Sequence, residues 1–309
     1  MNQAEILVQN FPCDLCGEVN EEFLYTKRGS LTNYPFRVVR CRSCGLIYLN
    51  PRLGEQAIKE LYDGNYYNGK GFDPHVNYVT DFDKQEDADK TFHPGETVNI
   101  IEEIVSPPAA LLDFGCGLGD FMRQAARHGY RVEGFEVSGF AAEFARTNQS
   151  EVYGQMDQIP TEKYDIVTAI EVLEHCSYPM KCLSAIYRSL KPGGTFYYTT
   201  GNFDGFYKKW RLGLKDSLDG YIAPEGHIHF FSTPVMKKYF KKLGFSETFD
   251  FEPKAYQAGG RLFQLLSKFG LIEPRPAPRT FWGKSSYYGA RKLARVLGLR
   301  RKPLPLAKK

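Results

Sequence analysis

Apolar and polar positions in the middle of the chain predict a strand, a helix and a second strand in succession. The run AALLDF at 109–114 is almost wholly apolar and of strand length, which is typical of a buried parallel strand. FMRQAARHG at 121–129 has helical periodicity, and Gly129 follows its last helical residue. YRVEGFEVS at 130–138 returns to a strand pattern. A β-loop-α-β unit of this kind begins a doubly wound α/β sheet.

Similar patterns predict helices on both sides of this unit. GEQAIKELY at 54–62 has helical periodicity, and a further helix is expected over much of 79–104. Thr233 and Pro234 are residue types of an N-cap and a first helical position, and Gly244 ends the helix that they begin.

Composition sets limits on class and compartment. The chain has 309 residues, enough for one large domain or two smaller ones. It has no run of about 18 apolar residues, so no transmembrane helix is expected. The stretch MNQAEILVQNFPCDLC lacks the regions of a signal peptide, and the expected compartment is the cytoplasm. Residues 261–309 hold thirteen basic residues and one acidic residue, so the net charge of +4 combines a mildly acidic body with a basic tail.

Four of the seven cysteines form two close pairs, CDLCG and CRSCG, separated by 24 residues. In a cytoplasmic chain such pairs favour a metal over disulfides. Gly17 and Gly45 follow the pairs and let backbone N–H groups turn toward the sulfurs. We therefore expect a small N-terminal zinc-ribbon domain over residues 1–52, with zinc in a structural role because no coordination position is open. Its ligands are Cys13, Cys16, Cys41 and Cys44.

Other interpretations of the cysteines remain open. The alternatives are four free thiols, two local disulfides, or an iron site. Iron is included because the spacing of the cysteines also resembles that of rubredoxin. The two turns lack the prolines usual in rubredoxin, which ranks iron below zinc.

The loop LLDFGCGLGDF carries glycines at alternate positions, Gly115, Gly117 and Gly119. The dinucleotide fingerprint G-x-G-x-x-G needs glycine at 120, where this chain has Asp120. Asp113 and Asp120 place negative charge where a pyrophosphate would bind, and no G-K-[ST] follows. Glu136 ends the next strand, where a carboxylate can accept both hydroxyls of a ribose. A ligand with a ribose, a positive centre and no phosphate fits this loop, and S-adenosylmethionine meets that description.

Residues 95–258 resemble a class I S-adenosylmethionine-dependent methyltransferase core, because five motifs occur in that family's order. LLDFGCGLG resembles its glycine loop, EGFEVS its ribose-binding strand end and YGQMDQIP its adenine-side loop. YDIVTAIEVLEH resembles the fourth strand and its exit, and LKPGGTFYYTT the turn and strand that follow. The resemblance implies a Rossmann-like methyltransferase sheet with S-adenosylmethionine as cofactor. It places these residues at the cofactor: Asp113, Gly115, Gly117, Gly119, Glu136, Val137, Met156, Asp157, Ile170 and Glu171.

The chain is most similar to the ubiquinone-type and sugar-methylating branches, some of which carry an N-terminal zinc ribbon. This resemblance implies a small-molecule acceptor, and we expect a sugar or nucleotide-linked sugar of a surface glycan or natural product. One alternative is an RNA methyltransferase whose ribbon and tail hold phosphates, but CDLCGEVNEEF is acidic, which argues against nucleic acid. Another is a methyltransferase-like scaffold without turnover, against which the intact motifs argue.

Three histidines are candidates for the base that a hydroxyl or carbon nucleophile needs. His175 follows a predicted parallel strand at its carboxyl end, where ligands bind. His227 and His229 end a segment that resembles the H-x-H-F-F-[ST] element near the acceptor in sugar-methylating members. Alternate residues of an extended segment point in opposite directions, so only one of these two faces the substrate. We favour His227 as the base, and structural roles for all three are the competing interpretation.

Aromatic residues predict two segments that close over the ligands. Residues 201–231 are too long for a simple connection and are rich in aromatics, so we expect a substrate lid. Residues 53–94 are expected to form a linker with a helix or loop that caps the cofactor. Tyr66 is a candidate to contact the sulfonium, since aromatic rings attract cations. Alternatively, Tyr66 and its neighbours Tyr62 and Tyr67 pack the ribbon against the main domain.

Residues 259–309 form a basic C-terminal extension that begins with a proline-rich stretch, EPRPAPRT. SSYYGARKLARVLGLRRK predicts a basic amphipathic helix, which suits peripheral contact with an anionic membrane or binding to RNA phosphates. A helix that packs on its own domain with a solvated face is the alternative.

Overall fold

The structure is a computed structural model that describes residues 8–71, 77–83, 94–147, 151–201, 203–213, 222–245, 247–251 and 304–308. Its first part contains the strands β1 (Val8–Gln9), β2 (Glu21–Arg28), β3 (Pro35–Cys41), β4 (Ile47–Leu49) and β5 (Arg52–Leu53). β2, β3 and β4 pair antiparallel, and β1 pairs with β5. Phe36 and Val38 are buried while Arg37 between them is exposed, the alternation of a sheet with one solvated face.

Among the described residues, three α-helices and one π-helix, Tyr66–Lys70, lie between this part and the main sheet in the chain. The α-helices are α1 (Glu55–Leu61), α2 (Tyr78–Asp83) and α3 (Pro94–Glu102). α1 confirms the helix predicted over 54–62. The helix predicted over 79–104 is present as α2 and α3, and the residues between them lie outside the described ranges. Among the described helices, none has both the length and the apolar character needed to cross a membrane.

Strands and helices then alternate along the chain: β6 (Ala110–Phe114), α4 (Asp120–Arg127), β7 (Arg131–Phe135), α5 (Gly139–Thr147), β8 (Glu151–Tyr153), β9 (Tyr164–Ile170), α6 (Pro179–Ser189) and β10 (Leu190–Thr199). The five strands pair in parallel in the order β10-β9-β6-β7-β8. Every residue of β6 is buried, as expected for a central parallel strand covered on both faces. The predicted doubly wound, Rossmann-like α/β sheet is confirmed.

The remaining described elements are α7 (Phe206–Arg211), β11 (His229–Phe230), α8 (Thr233–Leu243), β12 (Glu247–Phe251) and β13 (Leu304–Lys308). β13 pairs antiparallel with β10 and with β12, which extends the sheet to seven strands. Residues 304–308 therefore pair with the main sheet, although they lie within the segment predicted as a basic C-terminal extension. The rest of the predicted basic extension, including its amphipathic helix at 285–302, lies outside the described residues.

The predicted ribbon and lid share one sheet and one core. β11, near the end of the lid segment, pairs antiparallel with β4 and gives the order β11-β4-β3-β2. The backbone N–H of Leu49 donates to the carbonyl of Ile228 at 3.0 Å. Buried side chains from both parts form a single apolar cluster, which we call the ribbon–lid core: Leu24, Phe36, Val38, Ile47, Leu49, Leu53, Ile58, Phe203, Phe206, Ile222, Ile228 and Phe230. Because burial of each side chain stabilises the fold by about 1.5–3 kcal/mol, the lid segment is firmly held by the ribbon.

Candidate active site

The loop between β6 and α4 is shaped by three glycines. Gly115, Gly117 and Gly119 have φ angles of +81°, +53° and +86°, a region that side chains disfavour. A Cβ atom on Gly115 would lie 2.6 Å from Cγ2 of Val172. The loop is thus packed against the exit of β9, at the carboxyl ends of the parallel strands, where doubly wound sheets bind their ligands.

Two buried carboxylates, Asp113 and Glu136, lie beside this loop. Glu136 accepts hydrogen bonds from the backbone N–H groups of Gly117 (2.9 Å) and Ser138 (2.8 Å). Asp113 accepts one from the Thr168 hydroxyl at 2.8 Å. Burial raises the pKa of both carboxyls, that of Asp113 to about 7, with the charge of Glu136 adding to the effect on Asp113. Two acids held this close in the interior favour a positively charged ligand.

The other residues predicted to contact the cofactor lie along the same edge of the sheet. Val137 is the second residue after β7 and is 47% exposed. Met156 and Asp157 form a short 3₁₀ turn after β8. Ile170 ends β9, and Glu171 follows with a φ of +56° and an N–H that donates to the carbonyl of Thr199 at 2.9 Å. The strand ends bring these residues together, and their contact with a cofactor stays a prediction.

A cluster of tyrosines covers the glycine loop. Tyr66 and Tyr67 are buried against Leu118 of the loop and Ala141 of α5. The carbonyl of Tyr62 accepts a hydrogen bond from the Ser138 hydroxyl at 2.6 Å. The Tyr62 ring also packs on the ribbon–lid core. Tyr66 and Tyr67 therefore lie where a cap over the cofactor is predicted, and Tyr62 makes the contact with the ribbon that the alternative interpretation predicts. Neither interpretation is excluded by these contacts.

His175 and His227 lie side by side where β9 exits, with ring centroids 4.7 Å apart. Nδ1 of His175 lies 2.8 Å from the Tyr62 hydroxyl oxygen and 3.0 Å from the carbonyl oxygen of Gly226. Burial, together with the neighbouring His227, lowers the pKa of His175 to about 3. His175 is therefore neutral at physiological pH. His227 is half-buried, and its predicted role as base stays a prediction.

His229 lies apart from this pair, in the protein interior. It is 0% exposed and stacks with Tyr48 and Phe231 at ring-centroid distances of 6.3 and 6.1 Å. Burial lowers its pKa well below the usual value, and the nearby charge of Arg52 adds to this. A fully buried neutral imidazole is poorly placed to contact an acceptor, and the candidacy of His229 as a base stays a prediction. The alternation of an extended segment correctly indicated that one of the two histidines packs inward.

The four paired cysteines converge. Sγ of Cys13 lies 3.4 Å from Sγ of Cys44, Sγ of Cys16 lies 3.5 Å from that of Cys41, and all four sulfurs are within 4.8 Å of one another. None of the four forms a disulfide. Each pair sits on the expected turn, since the N–H groups of Gly17 and Gly45 donate back to the carbonyls of Cys13 (2.7 Å) and Cys41 (2.9 Å). The number and chemistry of the sulfurs fit a tetrahedral zinc site.

Helix α8 holds the two cysteine turns against the main sheet. Nζ of Lys238 donates to the carbonyl of Cys44 at 2.7 Å, and Nζ of Lys242 donates to that of Leu15 at 2.9 Å. The Tyr239 hydroxyl donates to Asp14 at 2.8 Å. Sequence reasoning missed these contacts, because a lysine on the polar face of an amphipathic helix carries no sign of a partner more than 190 residues earlier.

Comparison with known proteins identifies the fold that carries this site. Residues 96–247 match the model of a methyltransferase domain family. This part of the chain is a class I S-adenosylmethionine-dependent methyltransferase domain. The glycine loop, the two buried carboxylates and the exit of β9 all belong to this methyltransferase domain.

Several curated relatives are named ubiquinone biosynthesis O-methyltransferase. The ubiquinone biosynthesis O-methyltransferase of Klebsiella pneumoniae is 32% identical over an alignment of 114 residues, and the match covers 34% of this chain and 46% of that protein. The protein of the same name from Pseudomonas entomophila is 34% identical over an alignment of 117 residues, and the match covers 34% of this chain and 50% of that protein. The chain thus spans about half the length of these relatives. The solved structure of an S-adenosylmethionine-dependent methyltransferase from Archaeoglobus fulgidus aligns with 76% of this chain and with 100% of its own chain. The two sequences are 17% identical, and the TM-score is 0.44.

Proposed function

We propose that the protein is an S-adenosylmethionine-dependent methyltransferase that acts on a small molecule. The observation that carries this proposal is the pair of buried carboxylates, Asp113 and Glu136, beside the glycine loop of a methyltransferase domain. Glu136 stands at the strand end where a ribose binds, and the two carboxyl groups suit a sulfonium and disfavour a phosphate. The bound cofactor supplies a methyl group on a positively charged sulfur.

The acceptor is proposed to bind where the exit of β9 meets the lid segment, because His175 and His227 converge there. Oxygen is the proposed nucleophile, since the curated relatives are named as O-methyltransferases. The narrower proposal of a sugar or nucleotide-linked sugar rests on the resemblance of GHIHFFSTP to the element of sugar-methylating enzymes. In the transfer, the oxygen bonds to the methyl carbon as the carbon–sulfur bond breaks, with its electron pair left on sulfur. His227 is the proposed recipient of the hydroxyl proton.

We further propose that the four cysteines hold a structural Zn²⁺. The support is the closed set of four sulfurs, which leaves no position for a substrate. Because β4 of the ribbon pairs with β11 of the lid segment, a folded ribbon also fixes the neighbouring His227. Removal of zinc by a chelator is therefore expected to reduce methyl transfer more than cofactor binding.

The test uses S-adenosylmethionine labelled in its methyl group, together with a cell extract and a direct measurement of cofactor affinity. The wild type is expected to bind cofactor and to label a small-molecule fraction. Glu136→Ala is expected to weaken binding at least tenfold, as about 1.4 kcal/mol corresponds to one factor of ten. Glu151→Ala, an exposed acid on β8, is the matched control and should bind normally.

Each other result has a clear meaning. Absence of cofactor binding by the wild type would refute the proposal. Binding without transfer to any fraction would favour the scaffold alternative, and label in RNA would favour the RNA alternative. His227→Ala is expected to keep cofactor affinity and to lose transfer.

A further inference from the structure

We propose that Arg52 is a positioning residue through which the ribbon, with the help of Asp14, fixes the acceptor end of the methyltransferase domain. The two residues hold the segment that follows the exit turn, which is the 3₁₀ turn Leu173–His175 shortly after β9. The attachment is a property of this chain alone. Its effect on methyl transfer rests on the proposed function.

The exit turn lies between two parts of the chain that can hold it. On one side, the N–H of Ile228 in the lid segment donates to the carbonyl of Glu174 at 2.9 Å. On the other side, residues 176–178 connect the turn to α6. Because His175 is adjacent to this short link, whatever fixes the link also fixes the backbone of His175.

Arg52 of β5 holds the middle of the link. Its Nη2 donates to the carbonyl oxygen of Ser177 at 2.9 Å. Its guanidinium carbon lies 4.2 Å from the ring centroid of Phe11, and the edge of that ring meets Tyr178 at a centroid distance of 6.1 Å. Arg52 is 1% exposed. A charge-assisted hydrogen bond that is shielded from water in this way is stronger than one on the surface.

Asp14 holds the start of α6, at the far end of the link. Its Oδ2 accepts the backbone N–H of Met180, the second residue of the helix, at 2.8 Å. The first N–H groups of a helix have no partner within the helix, and a carboxylate there also interacts favourably with the helix dipole. Asp14 lies between Cys13 and Cys16, so the first cysteine turn of the ribbon supplies this cap.

The other donors of Arg52 indicate why an arginine stands at this position. Nε and Nη1 are buried and have no hydrogen-bond partner in the part of the chain that the structure describes. Buried donors without a partner are costly, and a well-packed apolar side chain would avoid that cost. The hydrogen bond to Ser177 is therefore what distinguishes arginine from an apolar residue here, and we assign the placement of the link to it.

The test is backbone hydrogen exchange of the full chain, followed by mass spectrometry. Arg52→Met is expected to speed exchange in peptides from 172–182 about tenfold, the factor for loss of a hydrogen bond to a charged donor. Peptides from the glycine loop, 113–120, should exchange as in the wild type. Arg52→Lys keeps a charged donor and should restore part of the protection. Arg37→Met, at an exposed position of β3 in the same ribbon, is the matched control and should exchange as the wild type does.

The effect on the reaction is measured with labelled S-adenosylmethionine and the small-molecule fraction of a cell extract. Arg52→Met is expected to lower transfer at saturating cofactor about fivefold, since a misplaced acceptor site lowers the rate. Its affinity for the cofactor should stay that of the wild type. A residue that only stabilises the fold would instead speed exchange in all peptides.

Unchanged exchange at 172–182 in Arg52→Met, equally faster exchange in every peptide, or faster local exchange with normal transfer would each overturn the proposal. If Arg52→Met unfolds, Phe11→Leu decides, because it removes only the ring on which the guanidinium lies and should loosen the same segment. Exchange is measured without an acceptor. Loss of protection at 172–182 in a protein whose wild type transfers no label therefore refutes only the proposed function.

Discussion

The carboxylate of Glu225 accepts hydrogen bonds from both the backbone N–H (3.1 Å) and the hydroxyl (2.9 Å) of Thr32, 193 residues earlier in the chain. The same carboxylate accepts the N–H groups of Ser30 and Leu31 at 3.2 and 3.1 Å. Glu225 is 0% exposed and lies two residues before His227. A turn of the ribbon is thereby attached to the segment that carries the candidate base.

Glu225→Ala is expected to lower the free energy of unfolding by about 3 kcal/mol, because it removes charge-assisted hydrogen bonds and leaves buried N–H groups without an acceptor. Methyl transfer should fall as well, since the lid segment loses its attachment to the ribbon. Urea unfolding and a transfer assay measure the two effects. Glu151→Ala removes an exposed acid and should change neither. If Glu225→Ala lowers the free energy of unfolding no more than Glu151→Ala does, the hydrogen bonds to the ribbon turn contribute little to stability.

Gly115→Ala is expected to weaken cofactor binding at least tenfold. The new Cβ would lie 2.6 Å from Val172, and the residue would have to keep a φ of +81°. Gly154→Ala is the matched control, because a Cβ there has no atom within 4 Å and its φ lies outside the left-handed region. Calorimetric titration with S-adenosylmethionine measures both variants. Equal affinities would contradict the close packing of the glycine loop against β9.

The stability of the cofactor-free protein is expected to fall as the pH rises from 5 to 8. The pKa of Asp113 is raised to about 7 in the folded state from an unfolded value of 3.8, so the folded state holds a proton that the unfolded state has lost. The stabilisation is complete below about pH 4 and is lost as the pH passes 7, with a change of about 3 kcal/mol between pH 5 and 8. Asp113→Asn should reduce this fall in urea unfolding at the two pH values. A fall of the same size in Asp113→Asn would assign the pH dependence to another group.

Tyr62→Phe is expected to lower methyl transfer about fivefold while cofactor affinity changes little. The substitution keeps the ring and removes only the hydroxyl that lies 2.8 Å from Nδ1 of His175, a contact worth about 1 kcal/mol. Tyr34→Phe, in the ribbon, is the control and should leave transfer unchanged. Steady-state kinetics separate kcat from KM. A change confined to the cofactor KM would instead indicate that Tyr62 acts as part of the cofactor cap.

The sequence predicted those features that depend on local periodicity and spacing. Continuous apolar runs predicted the parallel strands, because strands covered on both faces are apolar at almost every position. The sequence also indicated the class of cofactor, from the spacing of Gly115, Gly117 and Gly119 and from the acid at Glu136. These residues are close in the sequence, so a short stretch of chain is enough to bring them together around a ligand. The two cysteine pairs were recognisable for the same reason.

The tertiary structure decided everything that joins distant parts of the chain. The pairing of β11 with β4 shows that ribbon and lid form one unit, which the sequence did not predict. A two-residue strand such as His229–Phe230 is too short to show a periodic pattern. Only the packing separates His229, buried beside Tyr48, from His227 beside His175. The strand Leu304–Lys308 was missed because its partner, β10, lies about a hundred residues earlier. Contacts of this range depend on burial and hydrogen bonds that exist only after folding, so no local pattern contains them.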